Sequence, residues 1–201
     1  QLRSRPDVKL EWGAVEARIL HQDRADLKGM GGDNSRTNNA STVIRLTYGR
    51  FSFLLMGDAE GKEREAKADE PRYVERELLD KLGAAALRST VLKAGHHGSE
   101  SGSTLPFLRA VNPEIVVVMA GRKKFKTRFL PDETVLERYR QVRPDVAILR
   151  TDEGEPRTTL GCREDADGDD ILLYTDGSSL RAYQALGPQG RPEWKLVRQV
   201  P

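Results

Sequence analysis

Phe51-Ser52-Phe53-Leu54-Leu55-Met56-Gly57-Asp58 is a compact apolar run that ends on a glycine and a carboxylate. With Ser41–Tyr48 before it and Gly49-Arg50 between, the run reads as the second strand of a hairpin. Downstream, Tyr73–Leu82 places Val74, Leu78, Leu79 and Leu82 on one face with Gly83 as a stop, which predicts a helix. Thr90–Ala94 reads as a strand, Leu105–Val111 as a helix halted before Asn112-Pro113, and Glu114–Ala120 as a strand buried on both faces. Pro131–Val142 opens with proline and acidic residues, as a helix start favours, and Val146–Arg150 is another strand. A helix is also expected over Glu60–Lys67. The alternation of strand and helix from Phe51 to Arg150 predicts an α/β (α+β layered) sheet.

Working outward, Val8–Leu10 and Val15–Leu20 carry the two-residue period of half-buried strands, with Trp12-Gly13 as the turn. Gln22 to Asn39 is polar and rich in Gly, Asn and Asp, and is expected to be a long loop of functional or mobile character. Beyond the layered region, Arg157–Leu160, Ile171–Thr175 and Leu180–Tyr183 read as antiparallel strands, with Asp176-Gly177 as a hairpin turn. Gly187 to Pro201 holds three prolines and reads as a loosely attached tail. The expected division is 1–161 for the layered portion and 162–201 for a β-hairpin extension with its tail.

The 201 residues include 33 Lys+Arg against 31 Asp+Glu, and a net charge of +2 does not demand a polyanionic partner. No stretch approaches the roughly 20 apolar residues that span a bilayer, and no signal peptide is visible at Gln1–Pro6. The single cysteine, Cys162, excludes an internal disulfide and a Cys-rich zinc site.

Ligands of open α/β sheets gather at the carboxyl ends of the strands. Two such ends here carry metal-binding residue types: Leu55-Met56-Gly57-Asp58, and Leu92-Lys93-Ala94-Gly95-His96-His97-Gly98-Ser99. A carboxylate can bridge two hard cations, and neutral imidazole suits zinc, iron or manganese. From the residues alone a second reading stays open, in which Asp58 caps a helix starting near Ala59 and His96-His97 are ordinary loop residues.

Three strings in order, Asn38-Asn39-Ala40-Ser41-Thr42-Val43-Ile44-Arg45-Leu46, Phe53-Leu54-Leu55-Met56-Gly57-Asp58-Ala59-Glu60 and Leu92 to Ser99, resemble the metallo-β-lactamase-fold domain of the DNA-uptake competence protein ComEC and its soluble relatives. Those carry NNxSLVL, FLLxGDxE and LKxxHHGS in the same order. The resemblance covers about residues 35 to 152. It implies an αββα sandwich, a metal-dependent hydrolase of phosphodiesterase or nuclease type, and two divalent ions, Zn²⁺ or Mn²⁺, that activate a bridging water. It places Asp58 as the carboxylate shared by both ions and His96 or His97 as a late histidine ligand, with Asp58 and His97 as the catalytic pair. It places Asn38-Asn39 where other members hold a further histidine ligand, so that Asn39 makes a weaker or indirect contact at the site. From the residues themselves, Ser99, Ser101 and Ser103 read either as hydrogen-bond partners of a substrate phosphate or as a plain Ser-rich loop. Lys123 and Lys124, among the five cations and two aromatics of 121–131, read either as holding a nucleic-acid or phosphodiester backbone or as a solvated loop.

Two departures qualify this. The H-x-H-x-D-H string that supplies most ligands in the superfamily is absent, and His21 is the only upstream histidine. The chain is therefore expected to be the C-terminal portion of the domain, inactive alone, with an N-terminal half supplying the missing ligands. The alternative is a non-catalytic binding module, or a half-domain that has lost or borrows its metal centre. In addition, Leu130 stands where the resemblance places a histidine before proline. Composition is compatible with a bacterial cytoplasm, whereas membership of a complete competence protein implies an extracytoplasmic domain of a membrane protein.

Overall fold

The computed structural model describes residues 9–22, 33–121, 124, 128–152, 170–186 and 193–201. Seven strands form one mixed sheet: β1 (Lys9–Trp12), β2 (Val15–His21), β3 (Val43–Tyr48), β4 (Phe51–Leu55), β5 (Val91–Lys93), β6 (Ile115–Val118) and β7 (Ala147–Arg150), lying side by side in chain order. β1 to β4 are antiparallel neighbours and β4 to β7 are parallel. A short helix α1 (Asp33–Asn39) precedes β3, while α2 (Tyr73–Leu87), α3 (Leu105–Val111) and α4 (Glu133–Val142) form the three crossovers of the parallel half. Crossovers of one hand between successive neighbours place all three helices on the same face.

The two-residue period of the strands sorts the core into two layers. Leu54, Leu92, Val116 and Val118 meet Val74 and Leu78 of α2, Phe107 and Leu108 of α3, and Val135 and Leu136 of α4. Phe51, Val91, Ile115, Val117 and Leu149 point the other way, onto Leu180, Ala182 and Val200. Those residues belong to a second, antiparallel sheet of β8 (Ile171–Thr175), β9 (Leu180–Leu186) and β10 (Glu193–Val200). The mixed sheet is thus sandwiched between helices and a small sheet, which is why all four residues of β6 are buried. No helix among the described residues is long and apolar enough to cross a membrane.

Four expectations need correction. Residues 60–67 are irregular: the N–H groups of Gly61 and Lys62 both donate to the Ser101 carbonyl, so tertiary bonds take the donors a helix would use. Part of the expected polar loop is helix α1, whose sequence has no apolar stripe to signal it. Gly83 (φ 67°, ψ 173°) interrupts α2 without ending it, and a further turn runs on to Leu87. Residues 193–200 form a strand paired with β9 instead of a loose tail; the prolines at 188, 192 and 201 all lie outside it. The expected strand at Arg157–Leu160, the division at 161/162 and Cys162 lie outside the described residues.

Candidate functional site

The carboxyl ends of β4 and β5 lie side by side, so the segments that follow them share one rim of the sheet. After β4 the chain turns at Gly57, whose φ of 57° suits glycine and where a Cβ would sit 2.8 Å from the Ser41 Cβ. The Ser41 hydroxyl accepts the Asp58 N–H at 2.9 Å, which sets the carboxylate at the rim, half-exposed. No helix follows Asp58, so the capping role that the sequence left open for it has no helix to cap. After β5, Gly95 passes so close to Ala59 that a Cβ would meet its carbonyl oxygen at 2.6 Å. His96 and His97 then both adopt left-handed backbone, at φ 43° and 55°. Such conformations cost about 1–3 kcal/mol each for residues with a side chain and persist where the surroundings over-determine them.

The two imidazoles face different partners. His97 Nδ1 lies 2.6 Å from the Met119 carbonyl, which can only accept, so Nδ1 carries the proton in the neutral ring. Nε2 is then left as a lone pair, 3.3 Å from Asp58 Oδ1. His96 turns inward. Its Nδ1 is 3.1 Å from Glu60 Oε1 and 3.0 Å from Ser101 Oγ, and its Nε2 lies 3.5 Å from the Asn38 amide nitrogen.

Glu60 is the hub of that inner cluster. Asn38 Nδ2 donates to it at 2.9 Å and Ser101 Oγ at 3.2 Å, while its own N–H is accepted by Asn39 Oδ1 at 2.9 Å. Burial pushes the Glu60 carboxyl up, but hydrogen bonds from His96, Asn38 and Ser35 outweigh it and hold the group below the usual carboxylate range. A depressed folded pKa gives stability that is present above the unfolded value, about 4.3, and is lost as pH falls through the folded value. Glu60→Gln is therefore expected to flatten the fall of thermal stability with acid, measured as Tm between about pH 3 and 6. An unchanged acid limb would remove Glu60 from that role.

The other expected site residues divide. Asn39 is fully buried and spends its side-chain oxygen on Glu60, and His21 Nε2 holds its carbonyl at 2.8 Å, so it positions the cluster and does not open to a substrate. Ser99, Ser101 and Ser103 are buried as well. Ser99 Oγ accepts from Arg64 at 3.0 Å, and Arg64 in turn makes a two-pronged pair with Asp132 at 2.7 and 2.8 Å. Ser103 Oγ bonds the Tyr139 hydroxyl at 2.9 Å. These serines brace the histidine loop. Lys124 is exposed, with its ammonium 5.9 Å from the Phe129 ring centre; Lys123 lies outside the described residues.

Glu60 stands inside a quoted string, but nothing in its position along the chain marks it as a site residue, whereas Lys93 is expected from the sequence to steer an anionic substrate. Lys93 Nζ donates to the Gly57 carbonyl at 2.7 Å. Burial lowers its pKa, opposed in part by Asp58. Among the described residues, no three His, Cys, Asp or Glu side chains are arranged to hold a metal ion. The chain thus offers Asp58 and His97 as one pair of adjacent donors, of the right chemistry for a first-row divalent ion but short of a full set.

No family model matches the chain. It is 34% identical over 146 residues to Competence protein ComA of Neisseria gonorrhoeae, covering 73% of this chain and 18% of that protein. It is 31% identical over 108 residues to the uncharacterized protein YcaI of Escherichia coli, covering 54% of this chain and 12% of that one. ComE operon protein 3 of Bacillus subtilis is 29% identical over 121 residues, 60% of this chain and 13% of its own length. The chain therefore spans less than a fifth of each of these relatives. By sequence it is similar to one segment of the bacterial competence proteins.

Proposed function

We infer that this chain carries part of a metal-dependent phosphodiesterase site acting on nucleic acid, within a protein concerned with DNA uptake. The observation that carries this is the meeting of Asp58 and His97, from two different strand ends, with the imidazole tautomer set by the Met119 carbonyl. The similarity to Competence protein ComA supports the nucleic-acid context. Asp58 and His97 would hold divalent ions, Zn²⁺ or Mn²⁺ and two in the complete site, with the remaining ligands supplied by an H-x-H-x-D-H element that this sequence does not contain. When bound, such ions polarise the phosphorus–oxygen bond and acidify a bound water. Asp58 keeps its carboxylate toward the rim, and His97 presents Nε2 there. His96 acts behind them, tying the loop to Glu60. Lys93 and Lys124 add positive charge at the approach of an anionic strand.

The two histidines are separable by experiment. In the full-length protein that contains this sequence, His97→Ala is expected to reduce bound metal and to lower oligonucleotide cleavage by roughly a hundredfold or more, with Tm little changed. His96→Ala is expected to lower Tm by several degrees, because it strips a partner from buried Glu60, and to affect cleavage less. The reverse pattern would transfer the ligand role to His96. A second reading, a binding module without catalysis, is favoured by the lack of a three-donor cluster among the described residues. It predicts nucleic-acid binding that chelators leave intact and no turnover with added Zn²⁺ or Mn²⁺.

A further inference from the structure

A second cleft lies at the amino ends of the parallel strands, the opposite edge of the sheet from Asp58 and His97. It has a volume of about 250 Å³, and Arg45, Arg50, Arg88, Ser52, Thr90 and Glu114 contribute to its wall. Ser52 is six residues before Asp58 along the chain. At about 3.3 Å per residue the two places are roughly 20 Å apart. The cleft is therefore a separate site.

Its charge is unbalanced. Three guanidiniums face one carboxylate, and Arg88 is exposed, with no side-chain hydrogen bond or ion pair to any described residue. Arg45 is held in place by neutral acceptors, the Thr47 hydroxyl at 2.9 Å and the Arg88 carbonyl at 3.2 Å, so its charge is oriented but not cancelled by them. Arg50 donates to the main-chain oxygen of Pro201 and lies over the Phe51 ring, 5.9 Å from its centre. Arg18 stands directly opposite Arg45 in the β2–β3 register and adds positive charge there, offset by the Glu16 carboxylate. The Thr90 hydroxyl accepts the Ser52 N–H at 3.3 Å, which leaves its own proton free to donate.

Glu114 makes the cleft selective. A carboxylate beside an anion repels it unless that anion still carries a proton to donate. Sulfate and an internal phosphodiester have none near neutral pH, whereas a phosphomonoester, with its second pKa near 6, retains one part of the time. We propose that this cleft binds a phosphomonoester group, with Arg45, Arg50 and Arg88 as its cationic wall, the Thr90 hydroxyl as a neutral donor and Glu114 as acceptor of the remaining proton. The group can come from a free phosphate or from the phosphorylated end of a nucleic-acid strand.

The test is calorimetric titration of the full-length protein with inorganic phosphate, and with sulfate at matched ionic strength. Phosphate is expected to bind roughly tenfold more tightly than sulfate, and Arg88→Gln to weaken phosphate by about the same factor. Glu114→Gln is expected to bring the two anions to similar affinity, and Asp58→Asn to change neither, which separates this site from the rim at Asp58. Equal affinities in the unaltered protein, or an Arg88→Gln variant that binds phosphate normally, would overturn the proposal. Competition by an oligonucleotide carrying a 5′-phosphate, but not by its 5′-hydroxyl twin, identifies a strand end as the source. Competition by neither points to a small phosphomonoester, and equal competition by both contradicts the monoester assignment.

Discussion

Asp58→Asn is expected to remove metal-dependent cleavage of nucleic acid by roughly three orders of magnitude, the scale of several kcal/mol that a Lewis-acid centre contributes to a transition state. The substitution preserves shape and deletes the charge that would hold the ions. It leaves the Ser41 bond intact, because that bond uses the Asp58 backbone N–H. The carboxylate is half-exposed, and its ionisable neighbours among the described residues are His97 and, through charge alone, Lys93, so folding stability should stay within about 0.5 kcal/mol of the parent. Metal content by elemental analysis and cleavage of a labelled oligonucleotide are the two readouts. A variant with full metal content and full turnover would end the hydrolytic reading, whereas a parent protein with neither would favour the binding module.

Glu75→Ala is expected to be the most damaging single change for stability. The Glu75 side chain is buried behind the histidine loop, where it accepts the N–H groups of Ser103 and Thr104 and the Thr104 hydroxyl. Arg138, also buried, closes the same loop from the other side by donating to the carbonyls of Gly102 and Ser103 at 2.8 and 3.0 Å. Removing the carboxylate strands three donors and takes away a buried negative charge that acts on Arg138, which keeps Glu100 as its ion-pair partner. Losing one member of a buried charged network costs about 3–5 kcal/mol, or roughly 10 °C in Tm for a chain of this size. Glu75→Gln, which keeps one acceptor oxygen, should lose less. A Glu75→Ala protein that melts within two degrees of the parent, about the width of measurement noise and minor surface effects, would show that the loop is held by other contacts.

Glu75 and Glu60 also act oppositely under acid. Burial pushes the Glu75 carboxyl up, against the hydrogen bonds from Thr104 and Ser103 that favour its ionised form. With a raised folded pKa, its contribution is fully present below the unfolded carboxylate value and is lost as pH rises through the folded one. Glu60 has the contrary sign, so the acid limb of stability reports their difference, and the two glutamine variants should bend it in opposite directions.

The layered sheet was legible from Phe51 to Arg150 because its strands are short apolar runs bounded by glycine, proline or asparagine, and its helices carry one apolar face. Those are local signals, set by backbone period and by the conformations that Gly83, Gly57 and Asn112 permit. Residues 60–67 misled for the opposite reason: their propensity is helical, yet their donors are claimed by Ser101, distant in the chain. Helix α1 and strand β10 were missed because one has no apolar stripe and the other stands among prolines, and tertiary partners decide both.

For the candidate site, the letters alone bring Asp58, His96 and His97 to neighbouring strand ends, since chain direction and strand order place such ends on one rim. Their orientations come from contacts distant in the chain. His97 turns out toward Asp58 because the Met119 carbonyl accepts its Nδ1–H, and His96 turns in because buried Glu60 needs a donor. Asn39 and the serines became struts because each is enclosed by packing. Burial and the direction of a hydrogen bond belong to neighbours from other parts of the chain, and no local pattern of letters encodes them.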